Sequence, residues 1–123
     1  MIKANELRIG NLITRLFEGS SPEVEAVTVR TIFDCQMGDS GKFTFEGIPL
    51  TEEWLVKFGF VPSNSNYRAF WKKMGSLTLE ARINSNHVYF EILGSLYLDR
   101  IRYVHQLQNA WHSLTGHELT LSE

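Results

Sequence analysis

The chain of 123 residues carries 12 Lys and Arg against 14 Asp and Glu, a formal net charge of −2, and is 43% hydrophobic. That length supports one domain with a core of its own, and eight Phe, three Trp and four Tyr at so small a charge exclude intrinsic disorder. The lone cysteine excludes an internal disulfide, no apolar run nears the roughly 20 residues of a membrane span, and the acidic balance argues against counterion-driven DNA binding.

The N-terminal half reads as β structure. Residues 11–17 follow Gly10 and are rich in Leu and Ile, which predicts a strand. Gly19, Ser20, Ser21 and Pro22 form a turn cluster. Residues 24–35 are dense in β-branched side chains, and their apolar phase shifts along the run, as a bulged or bent strand would require. A loop over 36–41 leads into clean alternation over 42–46. Short, bent strands in this order point to a small open barrel, SH3-like in proportions.

A helix follows over 51–58. Thr51 suits its N-cap, and Glu52 and Glu53 fall in the first turn, where the helix dipole favours negative charge. Trp54, Leu55 and Phe58 supply an apolar face. Gly59 stands where a left-handed residue ends a helix, with Phe60 placed to pack back on Leu55. A meander is expected over 67–74, 77–84 and 87–93, turning at Gly75-Ser76 and at Ser85-Asn86. Leu77, Leu79, Ala81 and Ile83 alternate with Thr78, Glu80, Arg82 and Asn84, which gives one buried and one wet face. A fourth strand over 96–102, a helix over 103–115 closed by Gly116, and a short edge strand over 118–121 complete the reading. The expected fold is one α+β domain over residues 1–123, mainly antiparallel β. It has a small SH3-like barrel in its N-terminal half, a β-meander, and a C-terminal helix packed on the sheet.

Catalytic chemistry finds little purchase. The Gly-Lys pair in Gly38-Asp39-Ser40-Gly41-Lys42-Phe43 has neither the spacing of a phosphate loop nor a Ser or Thr after Lys42. His105 and His112 lie seven residues apart, about 10.5 Å along a helix axis, too far to share one tetrahedral zinc. Cys35 sits among β-branched residues and reads as a small buried hydrophobe, and no Gly-x-Ser-x-Gly elbow occurs. No catalytic residue, metal or cofactor is expected. The first eight residues lack the apolar core of a signal peptide, so a cytoplasmic location is expected.

Two surfaces stand out. Tyr67, Arg68, Trp71, Lys72 and Lys73 interleave aromatic and basic side chains in the manner of a platform for single-stranded nucleic acid, or else form ordinary core and cross-strand pairs. In the last helix, Val104, Leu107, Trp111 and Leu114 make an apolar stripe, while His105, Gln106, Gln108, Asn109, His112 and Ser113 make a polar face with no charged residue. Solvated helix faces recruit Lys, Glu and Arg; an amide-and-imidazole face suits partly buried, hydrogen-bonded contacts. Those contacts lie either within the chain, with a second copy, or with a protein partner. His105, Gln106, Gln108, Asn109 and His112 are the candidate interaction residues.

Five blocks carry a resemblance that runs in order over nearly the whole chain. They are Asn5-Glu6-Leu7-Arg8-Ile9-Gly10-Asn11, Gly47-Ile48-Pro49-Leu50-Thr51-Glu52-Glu53-Trp54-Leu55, Lys57-Phe58-Gly59-Phe60, Tyr103-Val104-His105-Gln106-Leu107-Gln108-Asn109 and Leu114-Thr115-Gly116-His117-Glu118-Leu119. Together they resemble a family of small uncharacterised proteins of Bacteroides-type gut bacteria, often found among phage-derived or mobile-element genes. The family usually has a second acidic residue where this chain has His117, and an aliphatic-aromatic pair near Ala110-Trp111. The resemblance implies a genetic context and transfers no catalytic residue. The expected function is a non-catalytic interaction module of phage or mobile-element origin, acting on a protein partner or by self-association. A nucleic-acid-binding accessory protein is the alternative, and a small enzyme the third reading.

Overall fold

The computed structural model describes residues 2–17, 19, 21–37, 43–63, 69–84, 87–92, 96–98 and 101–121. The architecture is α+β with antiparallel sheets and a C-terminal helix. Packing divides the chain into two compact units, Met1–Pro49 with Tyr103–Asn109, and Leu50–Arg102 with Ala110–Glu123.

The first unit opens on a 3-10 turn, Ala4–Glu6. Strand β1 (Leu12–Phe17) then lies between β2 (Glu23–Ala26) and β3 (Phe43–Glu46), antiparallel to both, in the order β2-β1-β3. Thr14 stands opposite Val24 on one side and Glu46 on the other. Among the described residues β2 and β3 are therefore edges, and no closed barrel is formed.

The run over 24–35 does not continue as a bent strand. β2 stops at Ala26 and helix α1 (Val29–Gln36) replaces the rest. The cause is a cap. Thr28 is extended, at φ −118° and ψ 176°, and its Oγ1 accepts the Thr31 backbone N–H at 3.3 Å. Thr31 Oγ1 in turn accepts the Thr28 N–H at 3.1 Å, so two backbone donors are satisfied reciprocally. A cap contributes about 1 kcal/mol, more than the few tenths that any one β-branched residue costs a helix. The shift in apolar phase is thus a change of period from 2 to 3.6. Thr31 is buried, and Ile32 and Cys35 pack on a core of Ile2, Leu7, Ile13, Val27 and Phe45.

In the second unit, Thr51 caps α2 (Glu52–Lys57) by accepting the Trp54 N–H at 3.4 Å. Gly59, at φ +87°, ends it in the left-handed region that a side chain disfavours. Its N–H donates to Val56 O and that of Phe60 to Leu55 O, both at 3.0 Å, which is the double bond of a Schellman end. Leu55, Phe58 and Phe60 are buried.

Strands β4 (Val61–Pro62), β5 (Ala69–Met74), β6 (Leu77–Asn84), β7 (His87–Ile92) and β8 (Leu96–Leu98) form one antiparallel sheet in chain order. Pro62 lacks a donor and sits in edge strand β4, where none is needed. Phe70, Ala81 and Phe90 line up across three strands and are buried, as is Leu79 one row along. Of the strand expected over 96–102, Leu96–Leu98 is strand, residues 101 and 102 are irregular, and residues 99 and 100 lie outside the described residues. Residues 118–121 form no strand; Leu119 is buried from irregular backbone instead. The expected turn at Ser85-Asn86 lies outside the described residues, as do residues 38–41 of the loop expected over 36–41; Gln36 instead ends α1.

Helix α3 (Val104–Thr115) contributes its residues through Asn109 to the first unit and the remainder to the second. Gly116, at φ +75°, closes it. No helix among the described residues is long and apolar enough to cross a membrane.

Candidate functional site

The polar face of α3 is a clasp inside the first unit. Helical geometry spreads Leu107, Val104, Gln108 and His105 over one continuous arc, and all four are buried. Tyr103 precedes the helix, and its N–H donates to Gln106 Oε1 at 3.1 Å, while Val104 N–H donates to Ile48 O at 2.8 Å. Two of the helix's orphan donors are satisfied this way. Gln108 then reaches the start of β1. Its Oε1 accepts Leu12 N–H at 2.8 Å and its Nε2 donates to Gly10 O at 3.3 Å. Asn109 Nδ2 donates to Glu6 O at 2.8 Å, and its Oδ1 accepts from Asn11 Nδ2 at 2.9 Å and Arg8 Nη1 at 3.1 Å. Asn11 is itself 1% exposed, and its Oδ1 accepts the Arg8 N–H at 2.6 Å.

Among the candidate interaction residues, His105 and Gln108 are buried and Gln106 and Asn109 half-buried, with partners in their own chain. Of the three settings expected for this face, within the chain, with a second copy or with a protein partner, the bonds of these four residues are of the first kind. Its amides supply both a donor and an acceptor to backbone groups of the turn into β1, which a charged side chain would not. His112 belongs to the second unit, half-exposed, 3.9 Å from Glu118.

His105 Nε2 lies 3.4 Å from Glu6 Oε1. Burial pushes the imidazole below its usual range, and Glu6 only partly restores it. The Lys3 N–H, donated to Glu6 Oε2 at 2.9 Å, holds that carboxyl below the ordinary value, against some desolvation and with help from His105. An open cleft of about 430 Å³ runs beside the 3-10 turn, lined by Ile2, Lys3, Ala4, Asn5, Cys35 and Gln36. Cys35 is on a helix, not the expected strand. Its Sγ donates to Ile2 O at 3.2 Å, and burial, then the Glu6 charge, raises the thiol above its ordinary range. No group of three or more His, Cys, Asp or Glu among the described residues is placed to hold a metal.

The aromatic-basic run divides. Trp71 and Lys73 point to the outer face of β5, Phe70 and Lys72 to the inner. Lys72 Nζ donates to Phe58 O at 2.9 Å and lies 5.7 Å from the Trp111 ring centre, so it is a packing residue and not part of an outer platform. Trp71 faces Glu80 across the strand pair, and Arg82 bridges Glu80 and Glu91 on that same face. Carboxylates beside Trp71 oppose a phosphate backbone. Tyr67 and Arg68 lie outside the described residues.

Reading 24–35 as a strand hid another surface. On α1 and its C-cap, Val29, Phe33 and Met37 recur at i, i+4 and i+8, and they are 70%, 56% and 68% exposed. The spacing itself was the signal, once the Thr28 cap makes the segment a helix. Arg30 holds its guanidinium 5.8 Å over the Phe33 ring and pairs with Asp34 at 3.1 Å. Comparison with protein-family models, with curated proteins and with solved structures returns no match to this chain.

Proposed function

We propose that this chain is a non-catalytic, cytoplasmic interaction module of phage or mobile-element origin, and that it docks an apolar helix of a protein partner on the outward face of α1. The observation that carries the reading is the stripe of Val29, Phe33 and Met37. Single exposed apolar residues are ordinary, whereas three in helical register are what helix-in-groove recognition uses. Arg30 and Asp34 beside the stripe supply a polar rim of both signs. A stable interface buries about 800 Å² per partner, and three exposed side chains on and beside an eight-residue helix offer well under that, so the contact is a transient one. The inward, proton-holding Cys35 and the buried His105 support a role other than catalysis.

The test compares the full chain with Phe33→Ser and with the triple change Val29→Ser, Phe33→Ser, Met37→Ser. A protein captured from host lysate is purified and its affinity measured for each. The reading expects the circular dichroism of the variants to stay native while affinity falls about tenfold or more, the scale of a hot spot. Equal binding by all three chains rejects the α1 surface. A wild-type dimer that becomes monomeric in the variants assigns the stripe to a second copy instead. Single-stranded oligonucleotide binding with a steep salt dependence, unaffected by the α1 changes, points to the accessory nucleic-acid role.

A further inference from the structure

His105 is 1% exposed, with its ring stacked on that of Tyr103 at 6.0 Å between centroids and 14° between planes. Nε2 faces Glu6, while Nδ1 is buried with no hydrogen-bond partner among the described residues. The neutral ring suits this place: Nε2 carries the proton toward the carboxylate, and Nδ1 is left bare. The charged ring does not. It brings a second N–H into a buried position that offers no acceptor, which incurs the desolvation of that donor on top of the charge.

The surrounding charges do not relieve the mismatch. Glu6, from the 3-10 turn, faces the ring directly, but its other oxygen is held by the Lys3 N–H. Lys3 adds positive charge beside that carboxylate, Cys35 of α1 is near enough to feel Glu6, and Arg8 meets α3 through Asn109. The same turn is tied to α3 by the Asn109 bond to Glu6 O. Charging His105 therefore acts on the segment that covers it.

We propose that His105 makes this contact an acid-sensitive latch: protonation of its imidazole releases the 3-10 turn from α3 and frees His105 and Asn109 for other contacts. The direction follows from the ring's environment. A folded imidazole that binds its proton less readily than the unfolded chain, near pH 6.5, keeps the latch fully closed above that pH. The latch loosens as pH falls below it. One proton taken up on opening limits the effect to about tenfold in the opening constant per pH unit.

Amide hydrogen exchange on the full chain tests this, corrected for the chemical pH dependence of exchange. The readout is protection of the Glu6 and Leu7 amides, which bond Lys3 O and Ala4 O, between about pH 7.5 and 5.5. Protection is expected to be level down to about pH 6.5 and then to fall, by no more than about tenfold at pH 5.5. His105→Gln removes the fall. Glu6→Gln keeps or deepens it, because the ring still charges and has lost its counter-ion. A level wild-type profile overturns the latch, and so does a response that Glu6→Gln abolishes while His105→Gln retains it. Should His105→Gln fail to fold, the wild-type imidazole is titrated by NMR; a midpoint at or above about 6.5 overturns the proposal, and one clearly below supports it.

Discussion

Replacing Gln108 by Leu tests whether the clasp on β1 holds the first unit together. The exchange keeps side-chain size and removes both polar ends. Leu12 N–H then loses its acceptor at 2.8 Å, and Gly10 O loses a weaker donor at 3.3 Å. Gly10 is exposed, so its carbonyl turns to water; the Leu12 amide, half-buried under a 3%-exposed side chain, has less access. An unsatisfied buried donor costs about 1–3 kcal/mol, and the added methyl burial returns somewhat less than 1 kcal/mol. A net loss of about 1–2 kcal/mol is expected. At a urea dependence of about 2 kcal/mol/M this lowers the unfolding midpoint by roughly 0.5–1 M. Far-UV circular dichroism is the appropriate signal, because Trp54, Trp71 and Trp111 all belong to the second unit. Gln108→Glu separates the two bonds. It keeps the acceptor for Leu12 but turns an oxygen toward Gly10 O and buries a charge. Burial raises such a carboxyl above its unfolded value, so the deficit of this variant is largest at neutral pH and shrinks toward pH 4. A Gln108→Leu chain within about 0.5 kcal/mol of wild type refutes the argument that these bonds are buried and needed.

Thr28→Ala removes the side-chain half of the α1 cap and is expected to cost about 1 kcal/mol, with exchange protection lost first at the Ile32 amide, which bonds Thr28 O; Thr28→Ser restores it. Gly59→Ala forces a Cβ into φ +87° and is expected to cost about 1–2 kcal/mol by thermal unfolding, with Gly59→Asn milder. Gly47→Ala places a Cβ 2.7 Å from Tyr103 Cγ and 3.1 Å from its Cβ, so it destabilises by about 1–3 kcal/mol. The double change Gly47→Ala, Tyr103→Ser then costs less than the two singles added, and strict additivity argues that the contact is not what matters.

What was legible in the residues was the local punctuation. Thr51, the two glutamates after it and Gly59 place α2 within one helix turn of where it stands, because each acts on backbone groups three to five residues away. The β6 alternation and the Gly75 turn are local in the same sense. Alternation also separates Lys72 from Trp71 and Lys73, although proximity in the chain made the three look like one basic-aromatic surface. Helix α1 was missed because Val24, Val27, Val29, Thr31 and Ile32 favour a strand, while the deciding bonds of Thr28 and Thr31 look like two more β-branched residues until the helix exists.

The clasp marks the other limit. That α3 has a polar face without a single charge was plain from residues 104–115, and an uncharged amide face does mean hydrogen bonds away from water. Whose bonds they are is a matter of geometry about a hundred residues away. Gln108, Asn109 and His105 meet Gly10, Leu12 and Glu6 across 96 to 103 positions of chain. Gly10 N–H is already bonded to Val27 O and Val27 N–H to Asn11 O, so the turn into β1 leaves the Gly10 carbonyl and Leu12 amide over. A side-chain amide carries one donor and one acceptor at the spacing those two groups need, and a charged side chain would satisfy only one of them. The missing charge on α3 is thus the complement of an incomplete turn at the other end of the sequence. The exposed Val29, Phe33 and Met37 differ from it in kind, being apolar and outward, which is why the proposed docking surface is put there and not on α3.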